Sequence, residues 1–196
     1  MKKSLKFIII GAILVGLIVG YYFYLSHKSE EASVPEETAS ITYVQQLIGR
    51  NLDEDYPPTV KEVMKLYADI TVAFYNENYQ DNEFDALALK MRELFDPELQ
   101  DANPAATYIN NLKAEIVRFK GQGIKVSSYS LPASTEVDYF KEDGFEFARI
   151  NLSLTMWQNK YAAITREKFL LRKDINGRWK IYGWVAEESK NDEGNN

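Results

Sequence analysis

The chain has 196 residues, of which 45% are hydrophobic and 13% aromatic, and it contains no cysteine. All 29 acidic residues follow Leu25, as do all Lys and Arg except Lys2, Lys3 and Lys6, so this larger part carries a net charge of −9. This charge argues against a nucleic-acid partner and against adhesion to an anionic lipid surface, because both need a basic face. The missing cysteine excludes disulfides and thiol catalysis, and it is typical of large secreted domains of Gram-positive bacteria.

The N-terminal segment is predicted to anchor the chain in a cell membrane. Phe7–Leu25 (FIIIGAILVGLIVGYYFYL) carries no charge, and as a helix it would span about 28 Å, close to the hydrocarbon core of a bilayer. The lysines before it predict that residues 1–6 are cytoplasmic and that everything after Ser26 is extracellular. A cleaved secretory signal is the alternative, but its apolar core is usually only about 7–15 residues long and ends in small residues.

Two polar segments enclose the predicted domain. Residues 26–40 (SHKSEEASVPEETAS) have too little apolar surface to fold alone and are predicted to be a flexible stalk. Residues 187–196 (EESKNDEGNN) are predicted to be a disordered acidic tail. The residues between them, 41–186, are expected to form one extracytoplasmic domain that is large enough for a hydrophobic core.

Helical spacing of apolar residues dominates the first half of this domain. Thr59 and Glu62 form a capping box before the longest stripe, and Asn103-Pro104 is a typical helix start. Prolines at positions 57, 58 and 97 end the preceding helices. Helices are therefore predicted over residues 41–52, 59–78, 81–96 and 103–121, and the first is short and weakened by Gly49.

The second half of the domain changes to a period of two. In residues 145–157, small and apolar side chains at the even positions 148–156 alternate with polar ones, which predicts an antiparallel sheet with one buried side. Asp174-Ile175-Asn176-Gly177 is a hairpin turn. Strands are predicted over residues 124–131, 145–157, 161–172 and 178–186, and residues 135–140 are either an edge strand or part of a loop. About four strands and three to four helices give an α+β fold class.

Three stretches carry a resemblance to known proteins: residues 56–77 (YPPTVKEVMKLYADITVAFYNE), 92–99 (RELFDPEL) and 169–184 (FLLRKDINGRWKIYGW). The last resembles the closing hairpin of the nuclear-transport-factor-two-like (NTF2-like) superfamily. Together they resemble an uncharacterised family of membrane-anchored proteins from clostridia-type bacteria, over residues 47–185. The resemblance implies a cone in which the helix of residues 59–78 lies in the concavity of a curved sheet. It implies no activity and no catalytic residues.

The cone places particular side chains in the core. Phe74 and Trp179 would both be buried, and a cone filled by Tyr67, Phe74, Leu152 and Trp179 would favour a binding or assembly module over an enzyme. The alternation of the last strand places Trp184 on the opposite face from Trp179.

Motifs for enzymatic chemistry are largely missing. The single histidine, His27, lies at the membrane boundary, so no histidine base or histidine zinc site is expected in the domain. Neither a cofactor nor a metal is expected. The one catalytic mechanism left is a carboxylate in an apolar pocket, where burial would raise its pKa. The candidate carboxylates are Asp69, Glu77, Glu146 and Glu167. The simpler interpretation is that each is a solvated side chain.

The oxygen-rich stretch of residues 96–103 has two interpretations. Asp96, Glu98, Asp101 and Asn103 offer oxygen ligands for calcium. The stretch lacks the glycine of a calcium loop, however, and Pro97 interrupts the pattern. Helix termination and capping is therefore preferred.

A candidate interaction face is predicted on the polar side of the sheet. Trp, Tyr and Arg often anchor protein interfaces, and strands 145–157 and 178–186 would align such residues if they share a sheet. The members are Arg149, Trp157, Lys180, Tyr182 and Trp184. An ordinary solvent-exposed face is the simpler alternative.

These observations lead to a first hypothesis of a membrane-anchored binding or assembly module without catalysis, which contacts another protein or itself. The second hypothesis is an enzyme that uses a carboxylate inside the cone, and the third is a module that captures a small ligand in an open apolar cavity. The contents of the cone would discriminate between them.

Overall fold

The computed structural model describes residues 41–187, which form a helical half followed by one antiparallel sheet. The helices are α1 (Tyr43–Ile48), α2 (Val60–Asn76), α3 (Asp81–Arg92), α4 (Pro97–Ala102) and α5 (Ala105–Gly121). The strands are β1 (Ile124–Ser130), β2 (Asp138–Glu142), β3 (Phe145–Gln158), β4 (Tyr161–Lys173) and β5 (Trp179–Ala186). The predicted order of helices before strands is confirmed.

The predicted fold class is wrong in its count of three to four helices and about four strands. Residues 41–187 contain five helices and a five-stranded sheet, and none of these helices is long and apolar enough to cross a membrane. The extra elements are strand β2 and helix α4. The six residues of α4 are too few to show a helical period. Residues 1–40 and 188–196 lie outside the described residues. The following therefore stay predictions: the anchor at Phe7–Leu25, the stalk, most of the tail, the domain limits and the extracellular location.

Helix α2 is the central helix of the fold. The Thr59 hydroxyl caps it by accepting a hydrogen bond from the Glu62 amide, with an N–O distance of 3.2 Å, which is one half of the predicted capping box. In place of the other half, the Glu62 carboxylate accepts a hydrogen bond from the Thr59 hydroxyl at 2.9 Å. Ten of its 17 residues are buried, because it packs against the sheet on one side and against other helices on another. Its core side chains include Phe74, which is buried as predicted.

The long hairpin of β3 and β4 forms the middle of the sheet. The strand order is β1-β3-β4-β5, and β2 pairs with the first part of β3 while β1 pairs with the last part. The inner face of the sheet, which lies towards the helices, carries alternate buried side chains of the three long strands. They are Ala148, Ile150, Leu152 and Leu154 of β3, Phe169 and Leu171 of β4, and Trp179 and Ile181 of β5. The predicted burial of Trp179 is therefore confirmed.

A β-bulge at Tyr182 reverses the alternation of β5. Leu171 pairs with Ile181 but Leu170 pairs with Gly183, which leaves Tyr182 as an extra residue. Residues after the bulge therefore change faces. Trp184 pairs with Phe169 on the inner face, where the two rings stack with centroids 5.6 Å apart. The prediction that Trp184 lies opposite Trp179 is wrong for this reason.

The segment after α3 covers part of the β5 edge. The Asp96 amide donates to the Ile181 carbonyl and the Ile181 amide donates to the Leu94 carbonyl, both at 2.8 Å. A sheet edge with unpaired backbone groups is prone to pairing with other chains. This contact satisfies some of those groups and ties the helices to the sheet.

Candidate functional site

The five residues of the predicted interaction face do not form one patch. Arg149 and Tyr182 lie near each other on the outer face, because Arg149 pairs with Leu170, and Leu170 with Gly183. Arg149 forms an ion pair with Asp138 at 3.0 Å. Tyr182 donates a hydrogen bond to Glu98 at 2.9 Å.

The other three members lie elsewhere. Trp157 is at the far end of β3, where it pairs with Ala162. The Lys180 ammonium donates to the Glu93 carbonyl at 2.7 Å, at the edge that the helical segment covers. Trp184 is on the inner face because of the bulge. Whether Arg149 and Tyr182 contact a partner stays a prediction.

An open pocket lies between the inner face of the sheet and helices α2, α3 and α5, and we call it the inner pocket. Its volume is about 390 Å³, which falls in the range of about 300–1,000 Å³ typical of small-molecule sites. Its apolar and aromatic lining consists of Tyr67, Phe74, Tyr75, Met91, Tyr108, Leu112, Ile116, Phe119, Leu154, Met156 and Trp184. Its polar lining consists of Thr71, Asn103, Asn111, Glu115, Thr165 and Glu167.

Glu167 is the charged side chain that the sheet directs into this pocket. It pairs with Leu152 across β3 and β4 and so occupies an inner-face position, two residues before the buried Phe169. No donor among residues 41–187 forms a hydrogen bond or ion pair with its carboxylate. Burial raises the pKa of Glu167, and the nearby Glu115 carboxylate raises it further.

Three tyrosines give the pocket hydroxyl groups in an aromatic wall. Tyr67 on α2 is only 9% exposed, and its hydroxyl has no hydrogen-bond partner within the described part of the chain. Burial raises the pKa of Tyr67 and of Tyr108, and it raises that of Tyr75 to about 12. These phenols are therefore neutral at physiological pH. Tyr108 donates to the Met91 sulfur at 3.2 Å.

Replacing Glu167 with glutamine should stabilise the domain at neutral pH. A carboxyl group whose folded-state pKa is raised contributes stability below its unfolded pKa and loses that contribution as the pH rises through the folded value. Ionised Glu167 is therefore unfavourable for folding at pH 7. We expect a higher melting temperature for Glu167→Gln than for the wild type at pH 7, where each kcal/mol corresponds to roughly 2–4 °C.

Thermal denaturation at pH 7 and below pH 4 checks this, since the difference should disappear once Glu167 is protonated. Glu142→Gln, on the exposed end of β2, makes the same charge change away from the pocket and should have little effect. A Glu167→Gln variant that melts at or below the wild-type temperature at pH 7 would show that the carboxylate is well solvated or paired.

A second cluster of charges has a structural role. Asp96 is 1% exposed, and the Arg172 guanidinium contacts both of its carboxylate oxygens, at 2.9 and 2.5 Å. Arg172 also donates to Glu98 at 2.7 Å. Asp96 caps α4 by accepting from the Glu98 amide, so the predicted capping role is confirmed. Arg172 contacts both Asp96 oxygens and one Glu98 oxygen, and the other Glu98 oxygen accepts from Tyr182, so these two residues are unsuited to the alternative calcium site.

The sequence indicated only part of the inner pocket. Glu167 was one of four candidate carboxylates, and its position on the inner face is visible as a charge within the alternation of β4. The aromatic residues appeared as ordinary core stripes, since nothing in a helical period distinguishes a side chain that fills space from one that borders a cavity. Nothing in the sequence indicates that Glu115 lines the pocket, because a charged residue on the exposed side of a helix is ordinary.

The sequence matches the model of a family described as a domain of unknown function, DUF6715, over residues 1–184. This match covers most of the chain, so the chain belongs to that family. The predicted membership of an uncharacterised family is thereby confirmed. No curated protein matches the sequence.

Proposed function

We propose that this member of the DUF6715 family is a non-catalytic binding module that holds a small amphipathic ligand in the inner pocket. The observation that carries this proposal is an open, mainly apolar pocket with one half-buried carboxylate, Glu167, directed into it without a protein partner. Ligand sites typically combine apolar walls with a few polar groups that fix orientation. The proposal corresponds to the third hypothesis drawn from the sequence.

Contact with a protein through the polar strand face has less support. Such an interface needs a central cluster of anchoring side chains, but Trp157 and Lys180 lie apart from Arg149 and Tyr182, and the Trp184 ring stacks on Phe169 at the inner face. Arg149 is also paired within the chain.

The raised pKa of Glu167 favours one second candidate, an enzyme that uses this carboxyl group as a general acid or base. Proton transfer of this kind usually needs a second group with a suitable pKa. The other titratable groups that line the pocket are Glu115 and tyrosines, and the tyrosine pKa values lie far above neutrality. We therefore favour binding over catalysis.

We further propose that the domain is related to the NTF2-like superfamily. Two features support this relation. A long buried helix, α2, packs on the inner face of one antiparallel sheet, and the sheet ends in the hairpin of β4 and β5. On this relation, the inner pocket would correspond to the interior of the cone.

Filling the pocket should abolish ligand binding. Thr165 lies on the inner face of β4 at the pocket and pairs with Leu154, so a tryptophan there would occupy the cavity. We expect the neutral dye Nile red to bind the full chain with one site and increased fluorescence. The Thr165→Trp variant should bind at least about ten-fold more weakly, which corresponds to roughly 1.4 kcal/mol.

Thr155→Trp is the matched control, since Thr155 is a threonine on the outer face of the neighbouring strand β3 and pairs with Ile164. It should bind the dye like the wild type. Equal binding by the wild type and Thr165→Trp would show that the inner pocket is not the binding site.

A further inference from the structure

We infer, on the basis of the proposed function, that the ligand of the inner pocket is an organic cation with an apolar body, such as an arylammonium or alkylammonium group. Three features of the pocket support this class of ligand. They are the sign of its charged groups, a tyrosine hydroxyl that is accessible from the pocket and the aromatic character of its walls.

The charged side chains that line the pocket are both acidic. They are Glu115 on α5 and Glu167 on β4, and the described lining contains no lysine, arginine or histidine. Neither carboxylate forms a hydrogen bond or ion pair with any of residues 41–187. A half-buried carboxylate without a partner is costly to desolvate, so a cation that pairs with Glu167 would gain more there than at an exposed site.

Tyr67 offers the pocket a hydroxyl group that a ligand can contact. Its side chain is more than nine-tenths buried and lines the pocket, yet its hydroxyl has no partner within the described residues. Among the described residues the buried side-chain polar atom without a partner is Arg92 Nε, so the Tyr67 hydroxyl is accessible from the open pocket. An ammonium cannot accept a hydrogen bond, but a polar group on the ligand body or a water held beside the cation could satisfy this hydroxyl.

Aromatic rings form much of the wall. Tyr67, Tyr75, Tyr108 and Trp184 line the same pocket as the two carboxylates. The faces of aromatic rings attract cations within about 6 Å, and the attraction increases when the site is desolvated. Acidic groups and aromatic rings thus both favour positive charge, while the apolar lining favours a hydrophobic body.

Ligands of other charge types fit less well. An anion would meet the two carboxylates and find no cation in the lining to pair with. A neutral hydrophobic ligand would fill the pocket but bury Glu167 without a partner, which costs free energy.

Binding of a cation should strengthen as the pH rises. Burial and Glu115 raise the pKa of Glu167, and a cation prefers the ionised carboxylate. The other titratable or charged groups that face this region are Tyr67 and Tyr75 on α2, Tyr108 and Arg118 on α5 and Arg92 on α3. The tyrosines stay neutral, Arg118 lies over the Phe119 ring, and Arg92 donates to the carbonyls of Gln100 and Asn103.

Isothermal titration calorimetry with three matched probes tests this class of ligand: naphthylmethylammonium, naphthylmethanol and naphthoate. We expect the full chain to bind the cation at least ten-fold more tightly than the alcohol at pH 8, and the carboxylate not detectably. The preference for the cation should shrink at pH 5. Glu167→Gln should remove the preference while leaving the affinity for the alcohol unchanged or higher, and Glu142→Gln should bind all three probes like the wild type.

Equal affinity for the cation and the alcohol, or an unchanged preference in Glu167→Gln, would overturn the cationic class while leaving a neutral ligand site in place. Failure of all three probes with normal Nile red binding would also overturn it. A different result would overturn the proposed function itself, namely Nile red binding that the Thr165→Trp substitution leaves unchanged.

Discussion

Replacing Arg172 with methionine should lower the free energy of unfolding by about 3–5 kcal/mol, because it leaves the buried Asp96 carboxylate without its partner. Arg172 contacts both oxygens of Asp96, and only 13% of the arginine side chain is exposed. Removal leaves the carboxylate with the Glu98 amide as its donor among the described residues. Urea denaturation of the full chain measures the loss.

The double variant Arg172→Met/Asp96→Asn tests the cause. Asparagine removes the buried charge and keeps an oxygen that can cap α4, so the double variant should be more stable than Arg172→Met alone. Glu98→Gln is the control, since the Glu98 carboxylate is exposed to solvent and its pair with Arg172 should contribute little. A loss for Arg172→Met as small as that for Glu98→Gln would show that the pair behaves as a surface ion pair.

Local signals predicted the order and limits of most elements. Thr59 and Glu62 define the start of α2 because a capping interaction depends on neighbouring residues alone. The alternation in residues 145–157 defines β3 and its buried face in the same way. Even Asp96 was assigned correctly as a helix cap, since the carboxylate reaches an amide only two residues away.

Features that depend on pairing between strands were not predictable. The bulge at Tyr182 depends on which residues of β4 pair with β5. The alternation of side chains within β5 alone does not reveal this register. One extra residue therefore moved Trp184 from the predicted outer face to the pocket. Arg172 and Asp96 are likewise 76 residues apart in the sequence, so nothing near either residue indicated that they form a buried ion pair.

The pocket depends on still more elements. Its residues come from three helices, three strands and Asn103 in the connection before α5, and a cavity exists only because their side chains fail to fill the space between them. Sequence patterns predict which side chains point inward but not whether they meet. Glu167 is the one pocket residue that the sequence pattern indicates, because a charged residue at an inward-facing position conflicts with simple core packing.

Replacing Phe169 with alanine should destabilise the domain by about 3–5 kcal/mol, from lost apolar burial and the cavity left behind. Phe169 is fully buried at the centre of the inner face. Its ring lies 5.0 Å from that of Tyr67 on α2 and 5.6 Å from that of Trp184 on β5, measured between centroids. One side chain therefore joins the central helix to two strands, and a domain has only about 5–15 kcal/mol of stability in total.

Leu170→Ala is the matched control, because Leu170 is the next residue of β4 and faces the partly exposed outer side. Its loss should be clearly smaller than that of Phe169→Ala in urea denaturation. The loss for Trp184→Ala should fall between the two, since Trp184 stacks on Phe169 but is 39% exposed.

If Leu170→Ala costs as much as Phe169→Ala, both faces of β4 are buried in the protein, and the outer face would then have to be covered by something outside residues 41–187. If Trp184→Ala leaves stability unchanged, Trp184 does not contribute to the core, and its place in the wall of the inner pocket would have to be abandoned.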